Sequence, residues 1–140
     1  MFKFEKLVFG DLGWGDELLF ATLMTITVSI LSMGLGLCLA IITVWAKLIT
    51  NRLSRLIANF YTTVVRGVPE LLVIYLIFFG GNSVVMGVAK IFGYNGYIEL
   101  NALTIGTIAI AFISATYSSE VIRAAYLAIN RGQIEAAKAL

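Results

Sequence analysis

The sequence has no histidine, one proline and one cysteine, and charged residues make up only 13% of its 140 residues. Each shortage excludes something. Without histidine there is no imidazole to ligate a metal or to run acid–base chemistry near neutral pH. The lone cysteine, Cys38, cannot close an internal disulfide, so no oxidised framework is implied. A soluble domain carries about 25% charge, so half of the customary charge is missing. The net charge of +2 leaves no basic footprint for nucleic acid, and no such partner is expected. No glycine-rich phosphate loop is present either, so ATP binding by this chain is not expected. No metal or cofactor is expected.

What the chain has instead is apolar length. Hydrophobic residues make up 60%, and the mean hydropathy is +0.95. No charge falls within 18–46, 71–89 or 100–119, runs of 29, 19 and 20 residues. A bilayer core about 30 Å thick takes roughly 20 apolar residues as helix. Three membrane helices follow, expected at about 18–46, 69–89 and 101–129. The stretch before them, Met1 to Glu17, holds two lysines and four acids. The run after it is too long for a signal-peptide core, so a cleaved leader is not expected.

The first helix carries a stripe of small or hydroxylated residues, Thr22, Thr25, Ser29, Ser32, Gly36, Ala40 and Thr43. Their spacing of three and four puts them near one face. Small residues let helices approach closely in lipid, so packing is the leading expectation and a hydroxyl-lined substrate path the alternative. Between the first two runs, Leu53, Leu56, Ile57, Phe60, Tyr61, Val64 and Val65 repeat with helical spacing, with Arg52, Arg55, Asn59 and Arg66 opposite. This is an amphipathic helix over about 52–66, suited to the membrane interface. It should stop before Pro69, which disfavours helix at Val68 and suits the first position of the next helix. The latter part of 80–97, rich in glycine with Asn82 and Asn95, reads as a loop. Asn130-Arg131-Gly132 reads as a helix stop, with Gly132 free to turn left-handed, and a short alanine-rich helix begins after it.

Basic residues fix the expected orientation. One side collects Lys47, Arg52, Arg55, Arg66, Arg123, Arg131 and Lys138, and the other Lys3, Lys6 and Lys90. Seven against three puts the N-terminus outside and 132–140 in the cytoplasm.

Glu120 stands out because it follows twenty uncharged residues yet continues a helical pattern. A carboxylate near membrane depth should face protein or a water-filled cavity. Ser114, Thr116 and Tyr117 fall within the same half of the helix. Together they offer an anion, two hydroxyls and a phenol, a surface able to hold an ammonium or guanidinium group. The competing reading is a local ion pair between Glu120 and Arg123, three residues apart.

Three segments carry a family resemblance. Gly132-Gln133-Ile134-Glu135-Ala136-Ala137 is similar to the opening of the EAA loop of ABC importer permeases. Tyr61-Thr62-Thr63-Val64-Val65-Arg66-Gly67-Val68-Pro69-Glu70-Leu71-Leu72 resembles the segment before the second conserved helix of polar amino-acid permeases. Tyr117-Ser118-Ser119-Glu120-Val121-Ile122-Arg123 resembles the end of the helix that leads into the EAA loop. The subgroup most alike imports histidine, lysine, arginine, ornithine and opines. Asn130 departs from the pattern, standing where the family usually has proline. The EAA motif also normally continues with a glycine, a second short helix and two more membrane helices. Here the sequence ends at Leu140, and a truncated permease is expected.

The resemblance implies an all-α membrane bundle, the front part of a type I ABC importer permease, in the bacterial inner membrane. It implies a transport subunit and not an enzyme, with ATP hydrolysis left to a cytoplasmic ATP-binding subunit docked at Gly132, Glu135, Ala136 and Ala137. Its other implied partners are a second permease subunit, identical or not, a periplasmic amino-acid-binding protein and membrane lipid. The substrates implied are basic amino acids or opines, held by Glu120, Tyr117, Thr116 and Ser114. Neutral or acidic amino acids remain an alternative. So does a small membrane scaffold or channel-like protein with no ATPase. Reporter fusions placed near Asn95 and at Leu140 are expected to read opposite sides of the membrane. Both reading the same side would exclude the three-span topology.

Overall fold

In the computed structural model, residues 13–94, 96, 101–130, 132, 133, 135 and 139 are described, and these carry four long helices and no strand. They are α1 (Gly15–Leu48), α2 (Arg52–Gly67), α3 (Glu70–Ile91) and α4 (Ala102–Ala128). Three of them, α1, α3 and α4, are long and apolar enough to cross a membrane. α2 is the short amphipathic element between the first two.

Local chemistry sets the ends. Asp16 and Glu17 lie in the first turn of α1 and Lys47 in its last, each of the sign that the helix dipole favours. Asn51 caps α2, its side-chain oxygen accepting from the Leu53 N–H at 3.0 Å. Val68 is extended, as the residue before proline should be. Pro69 is itself the N-cap of α3 and not its first helical residue. With ψ near 129° it stands outside the helix, and its carbonyl accepts from Leu72 and Val73. Asn101 caps α4 as Asn51 caps α2.

The left-handed glycine is Gly93, at φ +81°, and not Gly132. Gly93 donates to the Lys90 carbonyl and Tyr94 to the Ala89 carbonyl, the paired closure of a Schellman motif. Past α4, Ile129 is extended and the Asn130 side chain accepts from the Gly132 N–H, so Gly132 opens a helical turn instead of ending one.

Packing centres on α4, which buries Ile105, Thr107, Ala109, Ala111, Ile113, Ala115, Thr116 and Ser119. Its main neighbour is α1, and the two run parallel. Ser32 donates to the Thr107 carbonyl at 3.2 Å, Gly36 faces Ala111 and Ser114, and Lys47 meets Glu120. The buried face of α1 is Ser32, Gly36, Ala40, Thr43, Val44 and Lys47. The lower part of the small-residue stripe is therefore a packing seam. Thr22, Thr25 and Ser29, in the upper part, are exposed and donate back to carbonyls four residues earlier.

α3 runs antiparallel to α4. Gly81 approaches Ile105 at one end, and Val73 packs with Ile113 and Val65 of α2 at the other. Val73 is the only buried residue of α3. Large side chains such as Phe20, Ile30, Leu76 and Phe79 stand more than 60% exposed, as suits surfaces facing acyl chains or other helices.

The seam yields a test. A Cβ at Gly36 would meet the Ala111 carbonyl oxygen at 3.1 Å and the Ser114 side chain at 3.3 Å, whereas one at Gly34 would meet nothing within 4 Å. Gly36→Val is expected to cost about 1–3 kcal/mol by forcing α1 from α4. Gly34→Val is the control and should leave stability nearly unchanged. Unfolding in detergent micelles measures both.

Candidate functional site

The ends of α1 and α4, the whole of α2 and the start of α3 converge at one end of the bundle. There the chain places Lys47, Thr62, Arg66, Glu70, Tyr117, Glu120 and Arg123. Lys47 is the surprise. Sequence reading assigns it to the loop after the first helix, but α1 continues through Leu48, and the Lys47 side chain is 2% exposed. Its ammonium donates to Thr62 Oγ1 at 2.7 Å and forms an ion pair with Glu120 Oε1. Thr62 turns its own hydroxyl hydrogen back to the carbonyls of Ala58 and Asn59, both at 3.2 Å. One buried cation thus joins three helices.

Glu120 pairs across helices and not with Arg123. The Lys47 pair ties α1 to α4. Arg123 contributes positive field from the next turn, and its buried Nε has no hydrogen-bond partner. The local-pair reading fails because Lys47, arriving from α1, brings its ammonium to the carboxylate. Lys47 was legible in one respect. It continues the three- and four-residue spacing of Ser32, Gly36, Ala40 and Thr43, which aims it at α4.

Beside this junction an open cleft of about 360 Å³ is lined by Thr62, Thr63, Arg66, Gly67, Tyr117 and Glu120. Glu120 keeps 31% of its side chain exposed there. The Arg66 guanidinium sits over the Tyr117 ring, 5.4 Å from its centroid, a cation–π contact. Tyr117 also borders a second, more apolar cleft of about 210 Å³ with Glu70, Ile74, Ile110, Ile113 and Ser114.

Of the four residues singled out for substrate, three line these two clefts: Glu120 the first, Ser114 the second and Tyr117 both. Thr116 does not reach either. It is fully buried, and its hydroxyl donates to the Ile113 carbonyl at 2.7 Å. Helical spacing places Thr116 near Glu120 in projection, but its direction is toward the helix-packing core. Arg66, Thr62 and Thr63 are cleft residues that sequence reading did not nominate, since only the fold brings α2 against α4.

Tyr61 secures α2 from the other side. Its phenol donates to the Phe112 carbonyl at 2.5 Å, and its ring packs on Phe112 at 4.6 Å between centroids. Burial pushes the phenol up to about 12. The donated bond is fully present below pH 10 and is lost only as pH rises through 12. Of the four coupling residues, Gly132 and Glu135 lie in an exposed helical turn, and Ala136 and Ala137 lie outside the described residues.

No protein-family model matches the chain. Individual relatives do. It is 47% identical over 135 residues to the nopaline transport system permease protein NocQ of Agrobacterium fabrum, covering 96% of this chain and 57% of that one. It is 41% identical over the same shares to the octopine transport system permease protein OccQ of Rhizobium radiobacter. The histidine/lysine/arginine/ornithine transport system permease protein HisQ of Escherichia coli is 37% identical over 91% of this chain and 55% of its own length. Among solved structures, an amino acid ABC transporter with histidines superposes at a TM-score of 0.65 with 30% identity, over 84% of this chain and 49% of that one. The chain therefore spans a little over half the length of the curated relatives it matches.

Removing one partner of a buried ion pair leaves the other uncompensated, at a cost of 3–5 kcal/mol in general. Lys47→Met is expected near the lower end, about 3 kcal/mol, because Glu120 retains contact with solvent. The double change Lys47→Met, Glu120→Met should recover most of that loss, since no lone charge remains. Single and double variants unfolding alike in detergent would contradict the assignment.

Proposed function

Because the chain carries the sequence and the helical architecture of the front part of amino-acid and opine ABC permease subunits, we propose that it serves as the membrane-spanning portion of an ATP-driven importer for amino acids with a cationic group. The names of its relatives support amino-acid or opine transport. The preference for a cationic group rests on one observation: two carboxylates (Glu70 and Glu120), a phenol and hydroxyls, with Arg66 as the one cation, border adjoining clefts at the junction of α2, α3 and α4. Glu120, 31% exposed beside its Lys47 pair, accepts the cationic group, Tyr117 supplies its hydroxyl while Arg66 covers its ring, and Ser114 extends the polar edge.

The protein lies in the bacterial inner membrane with its N-terminus on the periplasmic side, in keeping with the seven-to-three basic asymmetry. A periplasmic binding protein delivers the amino acid. A second permease subunit completes the passage, and a cytoplasmic ATP-binding subunit docks at Gly132, Glu135, Ala136 and Ala137. ATP binding closes that subunit and moves the docked segment, whose first residue, Gly132, lies four residues past the end of α4. The motion switches the cavity between outward and inward access.

Two experiments test this reading, each with the chain extended to the length of its relatives and reconstituted with its partners in proteoliposomes. In the first, Glu120→Gln is expected to weaken uptake of arginine-like substrates tenfold to a hundredfold, about 1.5–3 kcal/mol for one charge-assisted bond. Uptake of glutamine should fall only by the loss that both substrates share when Lys47 is left without its partner, so the arginine-to-glutamine ratio is the readout. Equal effects on cationic and neutral substrates would contradict the role given to Glu120. In the second, Ala136→Arg is expected to abolish uptake while leaving membrane insertion intact, because a helix seated in a groove penalises bulk. Normal uptake by that variant would remove the docking assignment.

A further inference from the structure

A charge pair this buried asks for a reason. Hydrophobic side chains of similar volume commonly stabilise a core as well as an ion pair does. What the pair adds is direction, since an ammonium held between a carboxylate and a hydroxyl fits one geometry. Lys47 lies in the last turn of α1, Thr62 in the second half of α2, and Glu120 two turns from the end of α4. From Glu120, α4 runs on to Ala128, and past the extended Ile129 the helical turn at Gly132 follows within four residues. Few other polar links tie these helices. Ser32 bonds α1 to α4 about fifteen residues above the junction, and Tyr61 bonds α2 to α4 at Phe112. Among the described residues, Lys47 makes polar links to both other helices at once.

We propose that Lys47 is a positioning residue for transport: through Glu120 and Thr62 it transmits displacement of the cytoplasmic end of α4 to α1 and α2. The inference rests on the importer reading above and adds to it the internal link between the docking segment and the cleft. The joint has little slack. Lys47 is buried, so its ammonium has no water to exchange for its two partners. Thr62 already spends its hydrogen on its own helix and accepts only from Lys47. A shift of α4 toward or away from the docked subunit therefore drags α1 and α2 or breaks the joint. Thr62 and Glu120 also form part of the wall of the larger cleft, so the same motion reshapes it. The residue touches no substrate in this scheme, and its effect is read in coupling, as amino acid moved per ATP.

The experiment compares ATP hydrolysis and uptake in the same reconstituted, completed assembly. For Lys47→Met the expected result is ATP hydrolysis within threefold of wild type and at least a tenfold fall in amino acid moved per ATP. Lys47→Arg retains the charge and two-partner reach, and should restore at least half of the lost coupling. Thr62→Val removes one arm of the joint and should lower coupling severalfold with Glu120 still paired. Unaltered uptake per ATP in Lys47→Met overturns the inference. If that variant fails to assemble, Thr62→Val decides, and wild-type coupling there overturns it equally. A wild-type assembly that takes up no amino acid overturns the importer reading and this inference with it. Wild-type uptake with intact coupling in the variants overturns the inference alone.

Discussion

The close approach of α1 and α4 is the constraint on which the remaining contacts rest. In lipid, apolar side chains gain little by leaving acyl chains for one another, so helices associate through contact between backbones and small side chains. Ser32, Gly36 and Ala40 on one helix and Thr107, Ala111 and Ala115 on the other supply that contact. At Gly36 the space left for a side chain is smaller than a methyl group comfortably needs. The seam fixes the register of the two helices, and the register brings Lys47 level with Glu120. Shifting either helix by one turn, about 5.4 Å, would strand both charges.

The polar junction completes what the seam begins. α2 is amphipathic and short, and its grip on the bundle depends on a few points: the Tyr61 ring and hydroxyl on Phe112, Val65 in the small cluster with Val73 and Ile113, and Thr62 on Lys47. Its outward side still exposes Leu53, Leu56, Ile57 and Phe60. One helix therefore meets apolar surroundings, a packed core and a charged cleft on different sectors. That combination suits an element between membrane and water.

Much of this was legible from the sequence, for identifiable reasons. Length and the absence of charge specify the membrane helices, and the alternation of Leu53, Leu56, Ile57 and Phe60 with arginines specifies α2. The stop before Pro69 follows from local sterics. What was not legible is long-range. Lys47 and Glu120 lie 73 residues apart, and local spacing offered Arg123 as the nearer partner. Thr116 shares a half-circumference with Glu120, but only the packing of other helices around α4 decides that it is buried. Gly132 and Gly93 are both plausible left-handed stops by composition. The hydrogen bonds around each, to Asn130 in one case and to Ala89 and Lys90 in the other, select Gly93. Arg66 and the threonines of α2 enter the cleft only through the chain reversal at Val68 and Pro69.

The parallel pairing of α1 with α4 also dictates the order of biogenesis. The residues that join them are separated by about 75 positions, at Ser32 with Thr107 for instance. At a synthesis rate of 5–20 residues per second, the first of these helices leaves the ribosome roughly 4–15 s before its partner. During that interval the newly made α1 resides in the membrane without its seam. Its hydroxyls at Thr22, Thr25, Thr27, Ser29 and Thr43 bond to carbonyls of the same helix, so none of them needs a neighbour meanwhile. Ser32 and Lys47 are different: their bonds reach other helices. Burial of the Lys47 ammonium against Glu120 needs α4 in place, so it follows the synthesis of that helix.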